Sequence, residues 1–375
     1  MTEIYLIRHA QAEGNRYHMM QGHWDGGVTA LGRRQIGKLA ERFRELPLDA
    51  VWSSDLYRAR MTAEAPARRD ALPVRTTAAL REINVGPWEG KFFGDLKWSE
   101  PEAIDSFLHD PDHWVLPGAE TYADVTARAW PALNEIAARH EGQRVAVVSH
   151  GVTIRCLLSK ILGISLLQVR QLPIVGNTSV SLLRWEDGRF TVEYLNDDSH
   201  LSEDCRVNWL RSGDLRAQPL DLPRERKYYE SCYADAWRIA HGDLRAFSPE
   251  TYFDAAKVHQ RVCPGAVLRF FDGEQSAGLL DLDPRRGRGA GYGWVSFLYL
   301  EPAYRGRGCG IQLLARAYSL FREQGRKKLR LIAAEDNTAA LAFYRREGFR
   351  VIGEERGAQG RLLLMEKTLG VRDDC

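Results

Sequence analysis

Up to about residue 200, short apolar runs alternate with amphipathic stretches. IYLI (4–7), AVWS (50–53) and VAVV (145–148) are too short for helices and read as buried strands. Apolar residues recur at helical spacing near 30–45, 55–68 and 121–140, and again after VAVV. Strands separated by helices in this way predict a parallel sheet covered on both faces. SVSLLRW and GRFTVEYL flank Glu186-Asp187-Gly188 and predict a hairpin that closes a first domain, 1–203.

The segment 204–224 is polar, carries Pro219 and Pro223, shows no period, and reads as a linker. Beyond it, helical patterns at 226–243 and 248–261 precede three strand-like runs, AVLRFF, SAGLLDLD and GWVSFLYLE, with a Gly- and Arg-rich turn at 284–291. A long amphipathic helix begins near Gly310 and gathers Ile311, Leu314, Ala317, Tyr318 and Phe321 on one face. The change from alternating strands and helices to consecutive strands predicts a second domain, 225–375, of α+β class after an α/β first domain. At 375 residues, two domains also suit a prior of about one per 150 residues.

Composition narrows the partners. Hydrophobic residues make up 44% and charged residues 27%, so both parts can bury a core. Lys plus Arg number 52 against 50 for Asp plus Glu, which gives no general basic field for nucleic acid. The six cysteines form no C-x-x-C pair and suggest neither a disulfide framework nor a zinc site. No signal-like start and no apolar run near the roughly 20 residues that span a bilayer are present. The expectation is a soluble, cytoplasmic protein without membrane or nucleic-acid partners.

Candidate chemistry falls at strand ends. Arg8-His9-Ala10 follows the first strand, Ser149-His150-Gly151 follows VAVV, and Arg58 lies just after AVWS at a helix start. Open α/β sheets place ligands at the carboxyl ends of strands, so two histidines and two arginines converge on one edge. Guanidinium groups and a helix N-terminus suit a phosphate group.

In these segments the chain resembles the histidine phosphatase superfamily, the phosphoglycerate mutase-like fold, a three-layer α/β/α domain. LIRHAQAEGN, QGHWDGGVTALGRRQ, SSDLYRARMTAE, LREINVGPWEGK, PGAET, VVSHG and LNDDSHL occur in family order between residue 4 and about 201. The resemblance implies that His9 is a nucleophile that becomes phosphorylated, with Arg8, Arg58 and His150 on the phosphoryl oxygens. Glu82 matches the family's proton donor; otherwise it is a surface partner of Arg81. Asn15 and Gln21 match a loop that contacts phosphate and substrate, or they serve turn chemistry alone. His200 reads as a packing or capping residue. The QGHWD and VGPWEG segments look like the phosphatase branch, with a mutase as the alternative.

After WVSFLYLEP, the turn Tyr304-Arg305-Gly306-Arg307-Gly308-Cys309-Gly310 opens the long helix, and Asn337 to Phe349 follows. Arg305, Gly308 and Gly310 fit the R/Q-x-x-G-x-G/A pattern, and the second block fits N-x-x-A-x-x-F-Y-x-x-x-G-F. Both resemble the GNAT acetyltransferases. The resemblance implies acetyl-CoA as cosubstrate, its pyrophosphate on the backbone of Arg305, Gly306, Arg307, Gly308 and Gly310. Its pantetheine arm would follow the backbone from Leu298 to Leu300, with Asn337 on the same arm. Tyr344 would protonate the departing thiolate, unless it is a packed aromatic beside Phe343. Asp281, Asp283 and Glu301 are candidate bases without a ranking.

The combined expectation is a bifunctional enzyme that needs no metal. It would hydrolyse a small phosphomonoester through phosphohistidine and acetylate a small-molecule or peptide amine. The alternative for the second domain is a non-catalytic acyl-CoA sensor.

Overall fold

The computed structural model describes residues 1–169, 171–172, 175–206, 213–245, 247–357 and 360–370. They fall into two compact units, Met1–Asn208 and Trp209–Cys375.

The first unit holds a six-stranded sheet of β1 (Thr2–Arg8), β2 (Ala50–Ser54), β3 (Val74–Thr77), β4 (Arg144–Ser149), β5 (Val180–Glu186) and β6 (Arg189–Asp197), in the order β3-β2-β4-β1-β5-β6. The first four in that order run parallel, and β5 and β6 add an antiparallel hairpin. Its turn puts Asp187 at φ 50° and Gly188 at φ 77°, both left-handed, as the twist of a two-residue hairpin turn requires.

Side chains alternate across the sheet. Ile4, Leu6, Val145 and Val147 pack on one face with Leu133, Ile136, Ile154 and Leu157 from helices Tyr122–Arg139 and Gly151–Leu162. Tyr5, Ile7, Ala146 and Val148 meet Leu39, Ala59 and Ala63 from helices Ala30–Arg42 and Tyr57–Ala67 on the other. Two buried faces account for the unbroken apolar runs of β1 and β4. Thr121 caps its helix reciprocally with Asp124, and Gly163 ends the next helix in the left-handed region.

The second unit is a seven-stranded sheet: β7 (Arg216–Pro219), β8 (Val267–Asp272), β9 (Gln275–Asp283), β10 (Tyr292–Leu300), β11 (Lys328–Ala334), β12 (Arg350–Gly357) and β13 (Gly360–Thr368). The order is β12-β13-β11-β10-β9-β8-β7, and only β10 and β11 pair in parallel. Helices Leu222–His241, Pro249–Val262, Gly310–Glu323 and Thr338–Arg346 complete the unit.

The segment read as a linker is only partly one. β7 pairs with β8, Leu215 and Leu220 are buried, and Gln312 holds the Gly213 carbonyl and the Leu215 N–H. The helix that follows starts at Leu222, with its first turn capped by Asp221. Arg216, Ala217, Gln218 and Pro219 make an edge strand that carries little apolar signal, while 207–212 lie outside the described residues. No described helix is long and apolar enough to cross a membrane.

Leu133 is fully buried between its helix and the sheet. Leu133→Ala is expected to destabilise the first unit by about 2–5 kcal/mol, read from its urea unfolding transition. A loss below about 1 kcal/mol would contradict this packing.

Candidate functional site

β1 and β4 lie side by side and end together, Arg8 opposite Ser149, and the His9 N–H donates to the Ser149 carbonyl at 3.0 Å. The next residue of each strand therefore projects into the same space: the His9 and His150 rings lie 5.1 Å apart, both buried. β2 ends beside them, and the helix after it carries Arg58, which is 0% exposed, in its first turn.

The polar atoms here are incompletely satisfied. Nε of Arg8, Nε of Arg58 and both ring nitrogens of His150 are buried with no hydrogen-bond partner among the described residues. Buried polar groups are almost always bonded, so a cluster of such groups around His9 suits an anionic ligand with several acceptor oxygens. Burial, then Arg58 and Arg8, hold the His9 imidazolium pKa well below the usual 6.5. Burial followed by Arg58, His9 and Arg8 does the same to His150. Burial lowers Arg8 to about 10, still a cation at neutral pH. His9 Nδ1 lies 2.7 Å from the Ala10 carbonyl, which can only accept. The proton therefore sits on Nδ1 and the lone pair on Nε2.

A loop braces Arg58. Its Nη groups donate to the carbonyls of Gln21 (3.3 Å), Gly22 (2.8 Å) and Trp24 (3.2 Å), and it pairs with Asp25. Asp25 also accepts from the Tyr57 N–H at 2.7 Å, and Glu89 accepts from the N–H groups of His23 and Trp24. Gly22 fits because a Cβ there would lie 2.2 Å from the Ile83 carbonyl oxygen.

Glu82 lies beside His150, where its carboxylate accepts from the N–H groups of Val152 and Thr153 at 3.1 Å. It makes no pair with Arg81, which instead binds Asp55. Asn15 accepts from the Ala12 N–H and Gln21 from the Gly14 N–H, so both shape the loop next to His9. His200 packs away from the cluster between Arg42 and Thr178.

Two residues that motif reading passed over, Arg128 and Asn177, complete the arrangement. Arg128 donates to the carbonyls of Ala79, Arg81 and Glu82 and pairs with Glu120, which itself accepts from the Asn84 N–H. Asn177 donates to the His9 carbonyl at 2.9 Å and to Asn15 at 3.3 Å. Arg128 lies within the helix Tyr122–Arg139 and Asn177 just before β5, and neither position carries a local motif signal. A cavity of about 770 Å³, lined by Trp114, Tyr122 and Cys156, lies apart from these residues.

In the second unit, β10 and β11 pair only as far as Val295 and Leu331 and then separate. A bulge between Val295 and Phe297 bends β10 at that point. The opening is a cavity of about 330 Å³ whose wall includes Ser296, Leu298, Ala334, Asn337, Tyr344 and Trp237. Parallel strands that part expose backbone groups to a ligand, which fits an extended amide-bearing arm.

Asn337 caps the helix Thr338–Arg346 through the Ala340 N–H. Tyr344 is buried, and that burial pushes its phenol pKa up. Leu300 is not part of the wall; its carbonyl accepts from Arg305, whose guanidinium also pairs with Asp235. The turn from Arg305 to Gly310 also lies outside the wall. Gly306 (φ 71°) and Gly308 (φ 83°) are left-handed, and no side chain caps the helix Gly310–Glu323, a backbone suited to phosphate oxygens.

None of the three candidate bases lines the cavity. Asp281 is buried against Tyr229 (2.8 Å) and His259 (2.7 Å), Asp283 accepts from the N–H groups of Arg285 and Arg286, and Glu301 approaches the Tyr299 hydroxyl. Among the described residues no group of three or more His, Cys, Asp or Glu could hold a metal ion.

Comparison with known families agrees with both domain types. The model of the histidine phosphatase superfamily (branch 1) matches residues 4–198, and that of the acetyltransferase (GNAT) family matches 224–349. The chain belongs to the histidine phosphatase superfamily and carries a GNAT domain behind its phosphatase-type domain. Phosphoglycerate mutase-like protein 4 of Arabidopsis thaliana is 34% identical over 216 residues, 56% of this chain and 91% of that protein. The metal-independent phosphoserine phosphatase of the same plant is 33% identical over 227 residues, 58% of this chain and 90% of its own. Among solved structures, Bacillus stearothermophilus YhfR is 33% identical with a TM-score of 0.52, over 53% of this chain and 99% of that one.

Arg128→Gln is expected to lower the stability of the first unit by about 1–3 kcal/mol, since partly buried carbonyls and Glu120 lose a charged donor. Urea unfolding checks this, and an unchanged midpoint would contradict the brace.

Proposed function

We propose that the first domain hydrolyses phosphomonoesters through a phosphohistidine and that the second transfers acetyl from acetyl-CoA to an amine. The observation that carries the first reading is the set of partnerless buried nitrogens of Arg8, Arg58 and His150 around a neutral His9. The similarity to a metal-independent phosphoserine phosphatase supports hydrolysis.

In this mechanism the Nε2 lone pair of His9 attacks phosphorus, and the bond to the ester oxygen breaks. Arg8, Arg58 and His150 donate to the phosphoryl oxygens as charge develops. Glu82 gives its proton to the leaving oxygen and then takes one from the water that attacks the phosphohistidine. The P–N bond breaks, phosphate leaves, and His9 and Glu82 return to their starting states. Because burial and neighbouring cations keep His9 neutral, the nucleophile is available through the neutral range.

For the second domain, bound acetyl-CoA supplies an activated thioester. Gly306, Gly308 and Gly310 shape the turn that would hold its pyrophosphate, and the edge of β10 at Ser296–Leu298 would hold the arm. Tyr344, neutral in its buried setting, holds a proton beside the same cavity for the departing thiolate. Trp237, Tyr233 and Tyr252 wall the other side, which suits an acceptor with an apolar body.

His9→Ala is expected to lower phosphatase turnover by about 10³-fold or more while leaving the fold intact. During turnover the wild type should carry acid-labile, alkali-stable phosphate that the variant lacks. Wild-type turnover without phosphoenzyme would end the covalent mechanism.

Gly308→Asp should weaken acetyl-CoA binding to the full chain by more than about tenfold, because it strains a left-handed position and places a carboxylate in the pyrophosphate turn. Isothermal calorimetry reads this directly. A wild-type chain that binds no acetyl-CoA would overturn the reading.

A further inference from the structure

The segment before β5 holds the Arg8–His9 dipeptide from behind. The Thr178 N–H donates to the Arg8 carbonyl at 3.1 Å, the Arg8 N–H donates to Ser179 at 3.2 Å, and the Arg8 guanidinium reaches the Val175 carbonyl. Asn177 adds the only side-chain bond of the set to His9, 2.9 Å from its carbonyl oxygen. Its second contact ties His9 to Asn15 and the adjoining loop.

That aim depends on an uncommon backbone. Thr178 is β-branched, fully buried, and sits at φ 58°, a region such residues rarely adopt. Strain of this kind persists where the surroundings over-determine it, and it clusters at functional sites. Here the surroundings are specific. The Thr178 hydroxyl donates to the Asn177 carbonyl at 2.7 Å, so it accepts from His200 Nε2 at 3.2 Å. His200 Nδ1 then faces Arg42, which is fixed to Asp197 at 2.7 Å. Burial and Arg42 push His200 down to about 4, so it stays neutral and keeps its proton on the nitrogen that holds Thr178.

We propose that Asn177 is a positioning residue for the His9 nucleophile, aimed by the left-handed Thr178 and latched by His200. The assignment rests on the reading of His9 as nucleophile. A side chain that fixes the His9 backbone fixes where its Nε2 meets phosphorus, and a misplacement of about 1 Å can cost about 100-fold in rate. Phosphate binding depends on Arg8, Arg58 and His150, none of which Asn177 touches in the described hydrogen bonds.

The test uses the full chain with p-nitrophenyl phosphate as substrate and inorganic phosphate as inhibitor. Asn177→Ala should lower kcat by about 10- to 100-fold, with KM and the phosphate inhibition constant changed less than about twofold. Rapid quenching should find phosphoenzyme formed more slowly in the variant. His200→Ala, farther from His9, should lower kcat in the same pattern by a smaller factor, and Thr178→Ser, which keeps the hydroxyl, should restore turnover relative to Thr178→Ala. Unchanged kcat in Asn177→Ala alongside normal wild-type phosphoenzyme would overturn this assignment alone. So would a loss shared equally by kcat and phosphate binding. Wild-type turnover without phosphate on His9 would overturn the nucleophile reading, and this assignment with it.

Discussion

The Arg58 guanidinium is fully buried and that of Arg8 half-buried against two imidazoles at the ends of β1 and β4, and the first unit is organised around that placement. Buried cations are costly unless neighbours offset them, and here the offset is partial by construction. The Nη groups of Arg58 are spent on the carbonyls of the 21–25 loop, while its Nε is left over. Arg8 likewise spends one nitrogen on Val175 and leaves another free of partners. Burial, with the same cations, keeps both histidines neutral, so one arrangement combines donors suited to an anion with an unprotonated ring nitrogen.

The surrounding structure holds these four side chains still. Glu89 and Asp25 fix the loop that fixes Arg58. Arg128 and Glu120 fix the chain on either side of Glu82, whose carboxylate is gripped by the first turn of the helix Gly151–Leu162. The second unit works from a different constraint. Its parallel pair parts after Val295, and a sheet interrupted in its middle leaves backbone groups that only a ligand or solvent can satisfy.

Much of this was legible in the sequence because its causes are local. Apolar runs of four residues became β1, β2 and β4, and Asp187-Gly188 made the predicted hairpin turn. Arg8, His9, Arg58 and His150 were readable because strand ends in a parallel sheet share an edge. What was not legible is pairing across distance. Arg81 chose Asp55 over Glu82, Arg128 bound carbonyls about fifty residues away, and Asn177 found His9 across 168 positions. β7 escaped notice because an edge strand ending in proline needs no apolar pattern. Asp281, one of three equivalent carboxylates in the sequence, proved to be buried beneath Tyr229 and His259.

The central claim is that His9 stands neutral, with its proton on Nδ1, inside a cationic pocket that takes a phosphoryl group. Nitrogen NMR of the full chain, labelled at histidine and titrated from acid to mild alkali, measures this directly. His9 is expected to remain the neutral Nδ1–H tautomer well below pH 6.5, because burial and the two arginines oppose a further charge. Inorganic phosphate should raise its pKa by placing an anion beside the ring. A His9 that is protonated at neutral pH, or whose titration ignores phosphate, would rule out a neutral nucleophile in a phosphate-binding pocket.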